Sequence, residues 1–191
     1  YSIIKNRADK LEALVALTKP NGGHGETILY GYKYAIEQGA DYIFQTDSDG
    51  QTLPEEFWPF WEKRKDADMV IGHRKGRQDG FSRVFVTKTL KFVLWLSFHV
   101  SIKDANTPFR LMKAPILKRQ LHLIPDGYNL SNVLISVIYA RKKLKVEYLP
   151  ITFRPRQGGV NSINMKRIFR IGKQAVRDFR RINQVLKREG I

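Results

Sequence analysis

Asp41-Tyr42-Ile43-Phe44-Gln45-Thr46-Asp47-Ser48-Asp49-Gly50-Gln51 decides how this 191-residue chain is read. The first six residues make an apolar strand, and the strand runs directly into acids. In an extended segment, residues i, i+2 and i+4 point the same way. Asp47, Asp49 and Gln51 are therefore expected to offer three oxygens to one point. Such donors suit a hard divalent cation, Mg2+ or Mn2+, which keeps waters and binds substrate phosphates. The position also fits the rule that α/β sheets bind ligands beyond the carboxyl ends of their strands. Asp, Ser and Gly are ordinary turn formers too. The strand before them and the third oxygen after them favour a metal over a plain turn.

Working outward, Leu14-Val15-Ala16-Leu17 reads as a buried strand that runs into a turn at Lys19-Pro20-Asn21-Gly22-Gly23. Glu26 to Gln38 has apolar residues at helical spacing and Gly39 as a stop. Pro54 to Arg64 starts a helix with Glu55 and Glu56 in its first turn, where negative charge suits the dipole. Asp68-Met69-Val70-Ile71-Gly72 is the next strand. This alternation predicts an α/β layered fold with parallel neighbouring strands. Further on, Phe81 to Ile102 reads as a helix, and Asp126 to Ala140 holds another. Val146 to Phe153 reads as a late strand, with Pro150 favouring an edge. Arg154 to Asn164 is a Gly-containing basic loop.

The chain carries 34 Lys+Arg against 18 Asp+Glu, a net charge of +16. At 42% hydrophobic residues it is too rich in core-formers for a disordered tail. Cysteine is absent, which excludes a disulfide framework and cysteine-ligated zinc. The longest apolar run, Phe92 to Ile102, falls short of the ~20 residues that span a bilayer, so no transmembrane helix is expected. Nor does any segment read as a signal peptide. The chain opens in mid-pattern at Tyr1 and reads as lacking its opening elements. Met165 to Ile191 holds nine Lys/Arg and two acids, with an apolar stripe that includes Ile168, Phe169, Phe179, Ile182 and Leu186. Two compatible readings follow: an amphipathic helix lying on an anionic membrane surface, or one packing its stripe on the body. No single-strand platform or nucleic-acid recognition motif accompanies the charge, so nucleic acid is not expected as the partner.

A metal–phosphate site needs cations for the oxyanions, and arginine forks bind phosphate bidentately. The candidates are Arg74, Arg77, Arg110, Arg154 and Arg156. Asn21-Gly22-Gly23-His24-Gly25 can offer backbone N–H groups to an anion at a helix start, though it lacks the Lys-Ser/Thr ending of a P-loop.

Five ordered motifs over about residues 20–165 now carry a resemblance. They are Asn21-Gly22-Gly23-His24-Gly25-Glu26-Thr27 with Gly31 and Ala35, then Asp47-x-Asp49-x-Gln51, then Asp68-x-Val70-Ile71-Gly72-x-Arg74. Asp104-Ala105-Asn106-Thr107-Pro108-Phe109-Arg110-Leu111-Met112 and Arg156-x-x-Gly159-x-Asn161-Ser162 complete the set. Together they resemble family 2 glycosyltransferases of the GT-A fold, nearest to polyprenyl- or dolichyl-phosphate mannose and glucose synthases. Pro108 stands where the family usually has Gly, and Asn161 where the related loop often has Ser. The family's opening strand and its nucleotide-holding acids are not found.

The resemblance implies a GT-A domain, a mostly parallel sheet flanked by helices, over residues 1–164, with residues 165–191 as a basic amphipathic helix. It implies Asp47, Asp49 and Gln51 at the metal and Asn21, Gly22, Asp47, Arg74 and Ser162 on the donor. Arg110 and Arg156 would act on phosphates, Arg156 and Ser162 from a loop that closes over the donor and excludes water. The reaction implied is inverting transfer of a sugar from a nucleotide-diphosphate donor, with Mg2+ or Mn2+ stabilising the departing charge. A hydroxyl acceptor, on a polysaccharide or glycolipid, needs a base, for which Asp104 is the candidate. A lipid phosphate, its second pKa near ~6, is already anionic and needs guiding cations instead. The arginine surplus and basic tail favour the lipid phosphate and a peripheral place at the inner face of a membrane. A nucleic-acid-binding module, a metal-dependent nucleotidyltransferase and an inactive remnant are the competing readings.

Overall fold

The computed structural model describes residues 1–74, 81–154 and 165–190, with backbone only for 81–88 and 165–173. In chain order the elements are α1 (Ser2–Ala8), α2 (His24–Glu37), β1 (Tyr42–Gln45), α3 (Phe57–Glu62), β2 (Met69–Arg74) and α4 (Phe81–Phe98). These are followed by β3 (Arg110–Lys113), α5 (Ala114–Lys118), α6 (Ser131–Arg141), β4 (Val146–Ile151) and α7 (Met165–Arg188). The strands form one sheet in the order β1-β3-β2-β4.

Alternation along the strands separates two cores. Ile43, Met69, Ile71 and Met112 face α2, α4, α6 and α7, whereas Val70, Phe109, Leu111 and Ile151 face α3. On the second face Phe44 meets Phe57 and Phe109 edge to face, at ring-centroid distances of 4.9 and 4.7 Å. Such pairs contribute about 0.5–1.5 kcal/mol beyond their buried area. α6 has no solvent face over Ser131–Tyr139, where every residue is buried. A helix apolar all round belongs in a core, and here it lies under helices on the larger face of the sheet.

The expected sheet was mostly parallel, and this needs correction. β3 runs antiparallel to both β1 and β2, and only β2–β4 is a parallel ladder. Three strands do share one direction, but the segment after Asp104 turns back and inserts between β1 and β2. β4 lies at the sheet edge, where Pro150 removes no ladder donor that an inner strand would need. Leu14–Leu17 is not a strand. The segment forms no ladder, and Val15 and Leu17 are exposed, because an apolar run becomes a strand only with a neighbour to bond. α4 stops at Phe98, where His99 takes a positive φ of 54°. α7 packs along α4, and Phe98 meets Phe179 at 5.3 Å. Of the described part of the α7 stripe, Ala175, Phe179, Ile182 and Leu186 are buried in the larger core and Val176 is half-buried.

Candidate active site at the carboxyl edge of the sheet

The strand directions bring the chemistry-bearing segments together. Gln45, the last residue of β1, pairs with Arg110, the first of β3, and Arg110 is also level with Ile71 of β2. Arg74 ends β2 opposite Ile151 at the end of β4. The carboxyl ends of β1, β2 and β4 and the entry to β3 thus lie along one edge. That edge carries Asp47–Gln51, Arg74, Asp104–Arg110 and Phe153–Arg154.

The acidic turn differs from its sequence reading. β1 ends at Gln45, and Gly50 adopts φ +72°, so Asp47 to Gln51 bends and the i, i+2, i+4 alternation does not apply. Gln51 N donates to Asp49 Oδ1 at 3.2 Å, an Asx turn. The Gln51 side chain reaches across the edge, where Nε2 donates to the Arg154 carbonyl at 3.1 Å. Arg154 N in turn donates to the Gln51 carbonyl at 2.8 Å. This two-bond clasp ties the turn after β1 to the exit of β4. Behind it, Tyr32 of α2 donates its hydroxyl to Gln45 Oε1, and burial holds that phenol far above its ordinary value.

Arg74 and Asp104 form a two-bond ion pair at the edge. Arg74 Nε donates to Asp104 Oδ2 and Nη2 to Oδ1, both at 2.7 Å. Their side chains are only 9% and 10% exposed. The guanidinium also lies over the Phe153 ring, 4.9 Å from its centroid. A side-on fork of this kind is among the strongest charge-assisted contacts in proteins.

Arg110, expected against phosphates, is instead fully buried. Nε and Nη2 donate to the Thr107 carbonyl at 3.0 and 2.6 Å, and Nη2 also to the Ala105 carbonyl at 3.2 Å. Nη1 donates to the Asn132 carbonyl at 3.1 Å and Ser136 Oγ at 3.4 Å. A guanidinium has five N–H donors, and these contacts occupy five. Burial lowers the Arg110 pKa, opposed by neighbouring Tyr32 and Asp104. In this geometry Arg110 braces the 105–107 turn onto α6.

The Asn21–Gly25 turn also departs from the anion-cradle reading. A Cβ on Gly22 would fall 1.6 Å from Glu26 Oε2, so the chain's own carboxylate lies over this helix start, with Lys19 Nζ 3.3 Å from Glu26 Oε1. Asn21 Oδ1 accepts from Gly23 N. Gly25 permits close docking, since a Cβ there would meet the Tyr128 carbonyl at 2.1 Å. Asn21 and Gly22 are thus engaged in local structure. Arg77, Arg156 and Ser162 lie outside the described residues.

Among the described residues no group of three or more His, Cys, Asp or Glu could hold a metal by itself. The donor set at the turn is two half-buried carboxylates, Asp47 and Asp49. A hard cation that keeps waters and takes phosphate oxygens is commonly held by one or two carboxylates, so this set fits Mg2+ or Mn2+ in company with a substrate diphosphate. Sequence reasoning missed the Gln45–Tyr32 contact, the Phe153 ring beside Arg74 and the Gln51–Arg154 clasp. A polar Gln45 closing an apolar strand was the one signal for the first of these.

No protein family model matches the chain. Over 151 residues it is 26% identical to the undecaprenyl-phosphate mannosyltransferase of Micrococcus luteus, a match covering 74% of this chain. The matched stretch spans 61% of that relative's length. The similarity is distant, and it is to a glycosyltransferase.

Proposed function

We propose that the chain carries the catalytic site of a metal-dependent, inverting glycosyltransferase of the GT-A type, moving a sugar from a nucleotide-diphosphate donor to a lipid phosphate. The observation that carries this reading is the convergence of the acidic turn, the Arg74–Asp104 pair and the Arg154 exit on one edge of an α/β sheet. The distant likeness to a polyprenyl-phosphate mannosyltransferase supports it. Asp47 and Asp49 would hold Mg2+ or Mn2+, which when bound offsets the charge that the departing diphosphate gains. Arg74 supplies a fixed positive charge at the same edge. Gln51 holds the turn to the exit of β4, and the donor-side roles of Arg156 and Ser162 rest on the resemblance alone. A lipid-phosphate acceptor is favoured over a hydroxyl because Asp104, the candidate base, has both oxygens bonded to Arg74.

The membrane side of the proposal now rests on two helices. The described α7 stripe is buried or half-buried, so the apolar contact falls to α4, where Phe92, Trp95 and Leu96 are 60%, 54% and 59% exposed. Their i, i+3, i+4 spacing makes one face, with Leu94 and Phe98 buried on the other. Exposed Lys91, Arg177, Arg180 and Arg181 supply the cations on α4 and its neighbour α7. No helix among the described residues is long and apolar enough to cross a membrane.

The test is thermal stability against UDP-, GDP- and dTDP-sugars with and without Mn2+, using Asp49→Ala as control. Ligand at 100 times its Kd adds about 2.7 kcal/mol. A shift that needs both the metal and Asp49 upholds the site and names the nucleotide, and no shift in the folded protein sinks it. Vesicle sedimentation tests the membrane part. Binding to phosphatidylserine vesicles at low salt is expected to disappear in Phe92→Ser/Trp95→Ser, and a protein that ignores such vesicles ends that part.

A further inference from the structure

We infer that Asp104 is a positioning residue for Arg74, holding its guanidinium as a pre-oriented cation for a substrate phosphate, and is not the proton acceptor of the reaction. This rests on the transferase reading above. Four observations carry it. First, both carboxylate oxygens accept from Arg74 at 2.7 Å, one from Nε and one from Nη2. A general base needs an oxygen within reach of the proton it removes, and here each oxygen already has a cationic donor. Second, the pair is nine-tenths buried, so water does not screen it, and removing one partner strands the other.

Third, Asp104 is braced from behind. Of the four bonds that Arg110 makes to backbone carbonyls, three hold Ala105 and Thr107 and the fourth goes to Asn132. That fixes the turn from which Asp104 projects. Fourth, Phe153 constrains the plane of the Arg74 fork from another direction, at 4.9 Å. Phe153 precedes Arg154, which is clasped to the acidic turn. The Nη1 end of Arg74 meets no acceptor among the described residues. The result is an arginine whose orientation is set before substrate arrives, with donors left for an oxyanion. Preorganised charge of this kind needs no rearrangement during the reaction.

The test is a functional double-mutant cycle with Arg74→Gln, Asp104→Asn and the double variant, each checked for folding by thermal melting. Transfer to polyprenyl phosphate is assayed from whichever nucleotide sugar gives the thermal shift. If Asp104 acts through Arg74, Asp104→Asn raises the KM for the phosphate-bearing substrate about tenfold with kcat within about threefold. Adding it to Arg74→Gln then changes neither constant by more than about twofold, because coupled residues are non-additive. If Asp104 is the base, kcat falls about 100- to 10,000-fold with KM little changed, and the loss persists in the Arg74→Gln background. That overturns the inference.

Should Asp104→Asn not fold, Asp104→Glu and Arg74→Lys replace it. Arg74→Lys keeps the charge but loses the fork, and is expected to raise KM where Asp104→Glu restores most of the affinity. Equal KM in both variants and the wild type overturns the inference. Binding of the nucleoside diphosphate with Mn2+ separates the two levels. If the wild type binds it and Asp104→Asn binds it as tightly, with kcat collapsed, the transferase reading stands and the positioning role falls. If the wild type neither binds it nor transfers sugar, the reading falls and takes the inference with it.

Discussion

The Asp47–Gln51 turn and the Asp104–Arg110 segment reach the same sheet edge, yet they are held in different ways. Asp49 is half-buried and accepts from Gln51 N at 3.2 Å. Arg110 is fully buried and donates five hydrogen bonds into one turn and one helix. The first is a surface bend of short polar residues, the second a desolvated charge whose every donor is matched. A site divided like this has a frame that carries stability and a turn that carries chemistry. Mutations in the two are expected to separate the two properties.

The largest effect falls on the frame. Arg110→Met removes a buried charge but strands the Thr107 carbonyl and leaves that of Ala105 to Ser136 Oγ alone, and it is expected to cost about 3–5 kcal/mol in urea unfolding. A loss under about 1 kcal/mol would erase the contrast between frame and turn. Asp49→Ala is the mirror experiment. Transfer activity is expected to fall at least about 100-fold, equivalent to about 2.7 kcal/mol at 1.36 per tenfold, while unfolding stability moves by less than about 1 kcal/mol. A comparable loss of stability would place the turn in the frame.

The third effect sharpens the boundary between them. The Tyr32 hydroxyl, bonded to Gln45 at the edge, has its pKa raised by burial above the ordinary value of 10, as do Tyr128, Tyr139 and Tyr148. A raised folded pKa means the stabilisation is complete below the unfolded value and is lost as pH rises toward the folded one. Stability is expected to be level from pH 7 to about 9 and to fall above about 10. Tyr32→Phe should shallow that fall while lowering the plateau by about 1 kcal/mol for the lost bond. An unchanged alkaline limb would remove Tyr32 from the account.

Much of the frame was legible because periodicity reports burial. β1, β2 and β4 follow their apolar runs, and α2 and α7 follow theirs. β3 was not legible, although Phe109-Arg110-Leu111-Met112 alternates correctly between the two cores. Its obstacle was Arg110, a residue type that sequence reasoning places in water, sitting at an inward position. Missing β3 also produced the mistaken expectation of parallel neighbours, since β3 is the strand that reverses direction. Leu14–Leu17 failed for the opposite reason, having the composition of a strand without a partner. Of the site, the placement of Asp47 and Arg74 at strand ends was readable from local order. The Arg74–Asp104 pairing was not, because it joins residues thirty positions apart through the fold.

The burial of α6 and the packing of α7 have a consequence for synthesis. Phe98 of α4 is sealed by Phe179, and the same core includes Ile182 and Leu186. A chain emerging from the ribosome presents α4 and α6 long before α7 exists. The face of α4 that α7 covers therefore stays exposed until the stretch through Leu186 has been translated, leaving a late-closing core that nascent-chain chaperones can recognise.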